Sequence, residues 1–550
     1  MKNNNNKGLF IGIVIVAVFV FITIVGVVVK NVEDIATHGK SLDELYKGVK
    51  VEEAVPVKGQ ISFDNASLYD ELPEINKYPL AVEGNGNINI EVFTSGEKAG
   101  KDYESWLIDV GNNFNKSNIK TADGRTVQVS VRSVASGLGG DYIISGKYVP
   151  DLWTPSNELF GEYAISQGAN ISLYNERLVG NTAGILISKD KNYKTLREVA
   201  DAVAAGEINI GYTNPQSSAT GMNLLMSLLY EYGKDDLFGD AAVEGFNNFQ
   251  KNVPYVAYTT MQMRDSASNG SLDGMCMEYQ TYTNERSLNS VYNFIPFGIR
   301  HDNPLYVSDT ALKSKSEAIK LFNDFCMNSD SQNLATKYGF NNNEDYKTDL
   351  KFTGSEVFKG LEIYKKNKDT GKDIIAVFVA DCSGSMDGDP ILQLKESLSN
   401  GMNYINENNL VGLISYNSKV TIEVPIAKFD LNQKSYFQGA INMMTAGGTT
   451  STYEAVVVAL DMIRQAKVDN PNAKPLIFVL SDGQANGNYE LNTIKGALET
   501  EGVPVYTIGY TSSADMKALQ ALSSINEAAS VNADSEDIVY KIKSLFNSNL

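Results

Sequence analysis

Two short, wholly apolar runs that each lead into an aspartate-bearing loop constrain the second half of this 550-residue chain more than any other feature. Ile374 to Ala380 runs into Asp381-Cys382-Ser383-Gly384-Ser385, and Leu476 to Leu480 runs into Ser481-Asp482-Gly483. Apolar runs of this length are strands buried on both faces, and such strands belong to parallel sheets covered by helices. The surrounding pattern agrees: from residue 372 onward, strands at 374–380, 410–416, 476–480 and 503–509 alternate with helical stretches at 391–406, 451–467, 490–500, 514–523 and 535–547. This alternation predicts an α/β unit with a doubly wound parallel sheet. Ligands of such sheets bind beyond the carboxyl ends of the strands, where Asp381 and Asp482 both fall.

A third loop, Gly447-Gly448-Thr449, completes a set of oxygen donors: Asp381, Ser383, Ser385, Thr449 and Asp482. Hard divalent cations such as Mg²⁺ or Mn²⁺ take oxygen ligands and retain several waters, so a few hydroxyls and carboxylates suit them. One coordination position would stay open for a partner's carboxylate. Taken alone, Asp-Cys-Ser-Gly-Ser also fits a polar turn that caps a helix. The full pattern, Asp-x-Ser-x-Ser with a distant Thr and a distant Asp, resembles the von Willebrand factor A family and its metal-ion-dependent adhesion site. That resemblance implies a Rossmann-like fold, hydroxyl ligation by Ser383, Ser385 and Thr449, Asp381 and Asp482 acting directly or through water, and a protein partner docking on the ion.

The chain is too long for one hydrophobic core. With 47 basic against 66 acidic residues, a formal net charge of −19 disfavours nucleic acid as a partner. Gly8 to Val29 carries no charged residue and is long enough to cross a bilayer, so a retained transmembrane helix is expected there, with 1–7 as a cytoplasmic tail. Lys2 and Lys7 on one side balance Lys30, Lys40 and Lys47 on the other, so charge alone leaves the orientation open. Residues 30–85, interrupted by Pro56, Pro73 and Pro79, read as a stalk and edge segment.

Residues 86–345 read as a folded domain in which strands end in small hydroxyl residues: Thr94-Ser95-Gly96-Glu97, Ser136-Gly137, Asp151 to Ser156, and Tyr212 to Gly221 before a helix expected near Met222. Helix starts of this kind expose backbone N–H groups and favour anionic or strongly polar groups, although simple capping produces the same residues. In order and composition these segments resemble bacterial extracellular solute-binding proteins of the two-lobed, periplasmic-binding-protein-like class that includes oxyanion binders. The resemblance implies a small solute held between α/β lobes, with Ser95, Ser136, Ser156, Ser218, Thr220 and Glu278 as candidate lining. It also places the bulk of the chain outside the cell on a single membrane pass. Glu278 sits awkwardly in an anion site and would require Arg132 or Arg264 to compensate; cationic or peptide-like ligands stay open. A linker at 346–372 then leads to the C-terminal unit at 373–550.

Catalysis has little support. The chain holds two histidines, His38 and His301, and no nucleophile elbow or phosphate-binding glycine loop. An exported location permits a Cys276–Cys326 bridge that spacing does not decide, and Cys276, Cys326 and Cys382 are expected as free buried thiols. The expectation is therefore a membrane-anchored binding protein and not an enzyme. The alternative is a chelatase-like A-domain protein that assists an ATPase or metal-insertion complex inside the cell.

Overall fold

The computed structural model describes residues 40–61, 67–266, 272–368, 373–482, 485–510, 514–526, 528 and 530–533. The apolar run 8–29, His38 and the helical stretch 535–547 lie outside the described residues. Among those described, no helix is long and apolar enough to cross a membrane.

The C-terminal unit is built on one sheet in the order Val51–Glu53, Val420–Lys428, Leu410–Tyr416, Ile374–Asp381, Lys474–Ser481, Val505–Tyr510, Ser530–Ala533. Ile374–Asp381 is central and buried along its whole length, paired in parallel with Leu410–Tyr416 and Lys474–Ser481. Ala380 lies in register with Leu480, so the two aspartate loops leave neighbouring strands at the same edge. Two further elements carry no apolar run to announce them. Val420–Lys428 runs antiparallel to its neighbour and is largely half-exposed, and Leu431–Met443 intersperses Asn, Gln, Ser and Gly among its apolar residues.

Within the expected stalk, residues 30–85, the described residues 40–61 are instead part of a folded unit. Ser41 and Glu44 cap the helix Leu42–Lys47 reciprocally, and Leu42 and Leu45 enter the core of the C-terminal unit beside the helix Thr452–Asp469. Val51–Glu53 then adds a parallel edge strand against Val420–Ile422. Further along, the Gly59 N–H donates to the Ser435 carbonyl at 2.7 Å and Ser435 Oγ donates to the Gly59 carbonyl at 2.8 Å. A Cβ at Gly439 would lie 1.8 Å from the Val57 carbonyl oxygen, so the crossing of this segment over its helix requires glycine there. A three-residue strand and a six-residue helix have no independent stability. They form because the C-terminal unit supplies their partners.

The middle domain has two α/β lobes. Lobe 1 holds the sheet Leu80–Val82, Val127–Ser133, Ile88–Thr94, Leu152–Thr154, Leu305–Ser308, Ile171–Asn175, and lobe 2 the sheet Tyr292–Arg300, Thr182–Ser188, Gly274–Glu278, Ile210–Thr213, Tyr255–Ala257. The chain crosses between them after Asn175 and again after Arg300. The expected linker 346–372 instead contains the helix Gly354–Asn367, opened by a reciprocal Thr353 and Glu356 cap. Its Val357 and Tyr364 enter the middle domain's core, and it touches Leu159–Ser166 of lobe 1 and Ala219–Gly233 of lobe 2. Cys276 and Cys326 are free, buried and in different lobes.

Candidate functional site

The structure offers two sites. At the carboxyl edge of the C-terminal sheet, Asp381 is fully buried, and its Oδ1 accepts the Ser383 N–H at 2.8 Å. Its Oδ2 accepts the Ser481 hydroxyl at 2.6 Å and the Tyr416 hydroxyl at 3.1 Å. Ser383 and Ser385 hydroxyls lie 3.1 Å apart, the first buried and the second exposed. The Gly384 N–H donates to the Gly448 carbonyl at 3.1 Å and the Gly447 N–H to the Cys382 carbonyl at 2.9 Å, which locks the Thr449 loop beside the first loop. Thr449 is exposed, and its N–H and Oγ1 both donate to Ser418 Oγ, at 3.0 and 3.1 Å. Asp482 is buried on the adjoining strand end.

Burial raises the Asp381 carboxyl above its ordinary value, and the neighbouring Asp482 adds to the rise against the opposing hydrogen bonds of Ser383 and Ser481. Two buried carboxylates within electrostatic reach repel one another unless a cation lies between them. Three hydroxyls beside them complete an oxygen-only donor set that fits a hard divalent ion. Among the described residues no group of three or more His, Cys, Asp or Glu is placed to hold a metal ion, and this donor set, with two carboxylates, relies on hydroxyls for the rest. The sequence reading missed the supporting groups Tyr416, Ser418 and Ser481, which orient the candidate ligands without joining them. Cys382 is buried, and burial pushes its thiol up to about 12, so it fills space and offers no nucleophile.

The second site is a pocket of about 200 Å³ between the lobes of the middle domain. Ser95, Ser136 and Ser156 come from lobe 1 and Ser218, Thr220 and Glu278 from lobe 2, and all six line it. The lobes meet here: the Gly137 N–H donates to the Ser217 carbonyl at 3.0 Å, and a Cβ at Gly137 would lie 2.3 Å from the Gln216 carbonyl oxygen. The helix after Tyr212 begins at Ala219, a turn earlier than its apolar pattern indicated.

The electrostatics depart from the expected anion-friendly cleft. Glu97, which the sequence reading passed over, lines the pocket and accepts hydroxyls from Ser95 at 2.5 Å and Ser156 at 2.7 Å, with Lys98 Nζ at 3.0 Å. Burial by itself would raise its carboxyl, but Lys98, Ser95 and Ser156 outweigh it and hold the group down to about 2. Glu278 Oε1 accepts the Thr220 hydroxyl at 2.6 Å and faces His301 Nδ1 at 2.8 Å. His301 is fully buried, with Asn157 and Asn223 amides on its other nitrogen at 2.9 and 3.1 Å. Arg132 and Arg264, the cations an anion site would need, bind Glu91 and Glu104 instead, each at 2.8 Å.

Glu97 carries a pH prediction. Its folded-state pKa lies below the ordinary 4.5, so the stability it contributes is present above about pH 4.5 and drains away as pH falls toward about 2. Urea unfolding of Glu97→Gln across that window should show a flatter acid limb than the parent. An identical limb would remove Glu97 from the acid response.

Residues 376–546 match the von Willebrand factor type A domain, and residues 99–341 match the bacterial extracellular solute-binding protein family. A von Willebrand factor A domain-containing protein of Dictyostelium discoideum is 28% identical over 176 residues, 31% of this chain but 18% of that protein. The chain thus spans under a fifth of this curated relative. Among solved structures, a von Willebrand factor type A protein from Catenulispora acidiphila is 15% identical, covering 32% of this chain and 42% of that one at a TM-score of 0.30. The sulfate-binding protein SubI from Mycobacterium tuberculosis is 17% identical, covering 47% of this chain and 88% of that one at a TM-score of 0.36. The chain carries a von Willebrand factor type A domain and a bacterial extracellular solute-binding domain.

Proposed function

We propose that this protein is a membrane-anchored extracellular binding protein: the middle domain takes a small solute between its lobes, and the A domain binds Mg²⁺ or Mn²⁺ and recruits a protein partner. The observation that carries the first part is the interlobe pocket, to which both lobes contribute hydroxyl and carboxyl groups around one cleft. The second rests on Asp381, Ser383, Ser385, Thr449 and Asp482, gathered on interlocked loops with two buried carboxylates among them. A bound ion would supply positive charge and an open position for a partner's carboxylate. Binding and not catalysis suits the buried His301, whose ring nitrogens both face resident polar groups.

Anchoring is proposed from the charge-free run 8–29. Protease added to intact cells should digest epitopes in both folded domains while the N-terminal segment stays with the membrane. Full-length protein protected until lysis would place the domains inside the cell and favour the chelatase-like alternative.

A further inference from the structure

The pocket lining contains two carboxylates, Glu97 and Glu278, and among the described residues no lysine, arginine or histidine. Glu278 is 3% exposed, and while its Oε1 is shared by Thr220 and His301, its Oε2 has no hydrogen-bond partner. A buried carboxylate oxygen without a donor is costly to leave so, and the cost vanishes when a ligand supplies one. Nearby basic groups are already paired, Lys98 with two residues of the lining itself. Lys98 Nζ donates to Ser95, Glu97 and Asn303 at 2.5, 3.0 and 2.6 Å, and His301 Nε2 faces two amides. The helix start at Ala219, which taken alone favours negative charge, already has one from the chain itself: Thr220 in its first turn binds Glu278.

We propose that the solute carries an N–H-donating cation, a protonated primary amine or a guanidinium, which docks on Glu278 Oε2, with the Lys98-paired Glu97 also on the lining. The surrounding serines then bond its polar remainder. A sulfate-like dianion would face the Glu278 carboxylate with no cation on the lining, and Lys98 behind it already paired with Glu97, while a quaternary ammonium would leave Glu278 Oε2 without a hydrogen bond. The proposal rests on the reading of this domain as a solute binder.

The test uses the full-length chain in detergent, with putrescine and agmatine as donor cations, choline as the donor-free cation, and sulfate and molybdate as anions. Thermal shift and calorimetry should show binding of putrescine or agmatine, at least about tenfold weaker choline, and no response to either anion. Glu278→Gln should weaken amine binding by about tenfold or more with the ligand-free melt preserved. Glu278→Asp, which keeps the charge but withdraws it, should fall between the two and serves if the first variant misfolds. Anion binding with silent amines would overturn the assignment while leaving solute binding intact. Choline matching putrescine, or Glu278→Gln binding like the parent, would overturn the donor contact. Silence with every probe would overturn the amine assignment. Native mass spectrometry of the purified protein then separates the two failures: a co-purified non-amine solute keeps the binding reading, and an empty cleft removes that reading too.

Discussion

Replacing Asp381 by asparagine is expected to erase the response of the A domain to Mg²⁺. In the parent, Mg²⁺ at a hundred times its dissociation constant would stabilise the folded state by about 2.7 kcal/mol, read as a rise in melting temperature and as heat in calorimetry. The substitution removes a central carboxylate while retaining an oxygen that can accept the Ser383 N–H. It also removes one of two buried like charges, which offsets what the Ser481 and Tyr416 hydroxyls lose when their acceptor becomes an amide. The metal-free variant should therefore melt close to the metal-free parent, within about 1 kcal/mol. Undiminished Mg²⁺ affinity in a folded Asp381→Asn protein would sink the ligand assignment.

Leu45→Ala should destabilise the A domain by about 2–5 kcal/mol, the range for emptying a buried leucine site. Leu45 is 0% exposed and packs into the cluster that includes Val456, Ile463 and Ile494. Val55, 87% exposed in the same N-terminal segment, is the control, and its alanine variant should stay within about 0.5 kcal/mol of the parent. Differential scanning calorimetry of the full chain would resolve the effect. Equal behaviour of the two variants would return this segment to a passive tether.

Because residues 41–61 join the A domain, the middle domain is an insertion within it. Both ends of the insertion are held by one folded unit: the entering chain follows the Gly59–Ser435 contacts, and the departing chain runs from Gly354–Asn367 toward the strand that ends at Asp381. An apolar cluster links the two as well, since Tyr255 and Met275 of lobe 2 share it with Phe478 and Tyr506 of the A domain.

Local pattern alone determined the central strands Ile374–Asp381 and Lys474–Ser481, because a strand covered on both faces must be apolar whatever its partners. It also placed the aspartate loops, which follow from where such strands stop, and the hydroxyl-rich turns around Ser95, Ser156 and Ser218, although only Ser218 stands at a helix start. Only the tertiary structure decided the fate of residues 41–61. Val51 pairs with Val420, and the Lys58 and Asn432 side chains hydrogen-bond at 2.8 Å across 374 positions; no local signal marks a strand whose partner lies that far along the chain. The sign of the pocket was hidden for the same reason. Glu97 stands openly in Thr94-Ser95-Gly96-Glu97, yet its charge matters to a ligand only because Ser156 and Lys98 turn it into the cleft, and Arg132 and Arg264 are held away by Glu91 and Glu104. A charged side chain's direction is set by the partners that surround it, and those partners meet only once lobe 1 has folded and, for Arg264 and Glu104, once the two lobes have packed.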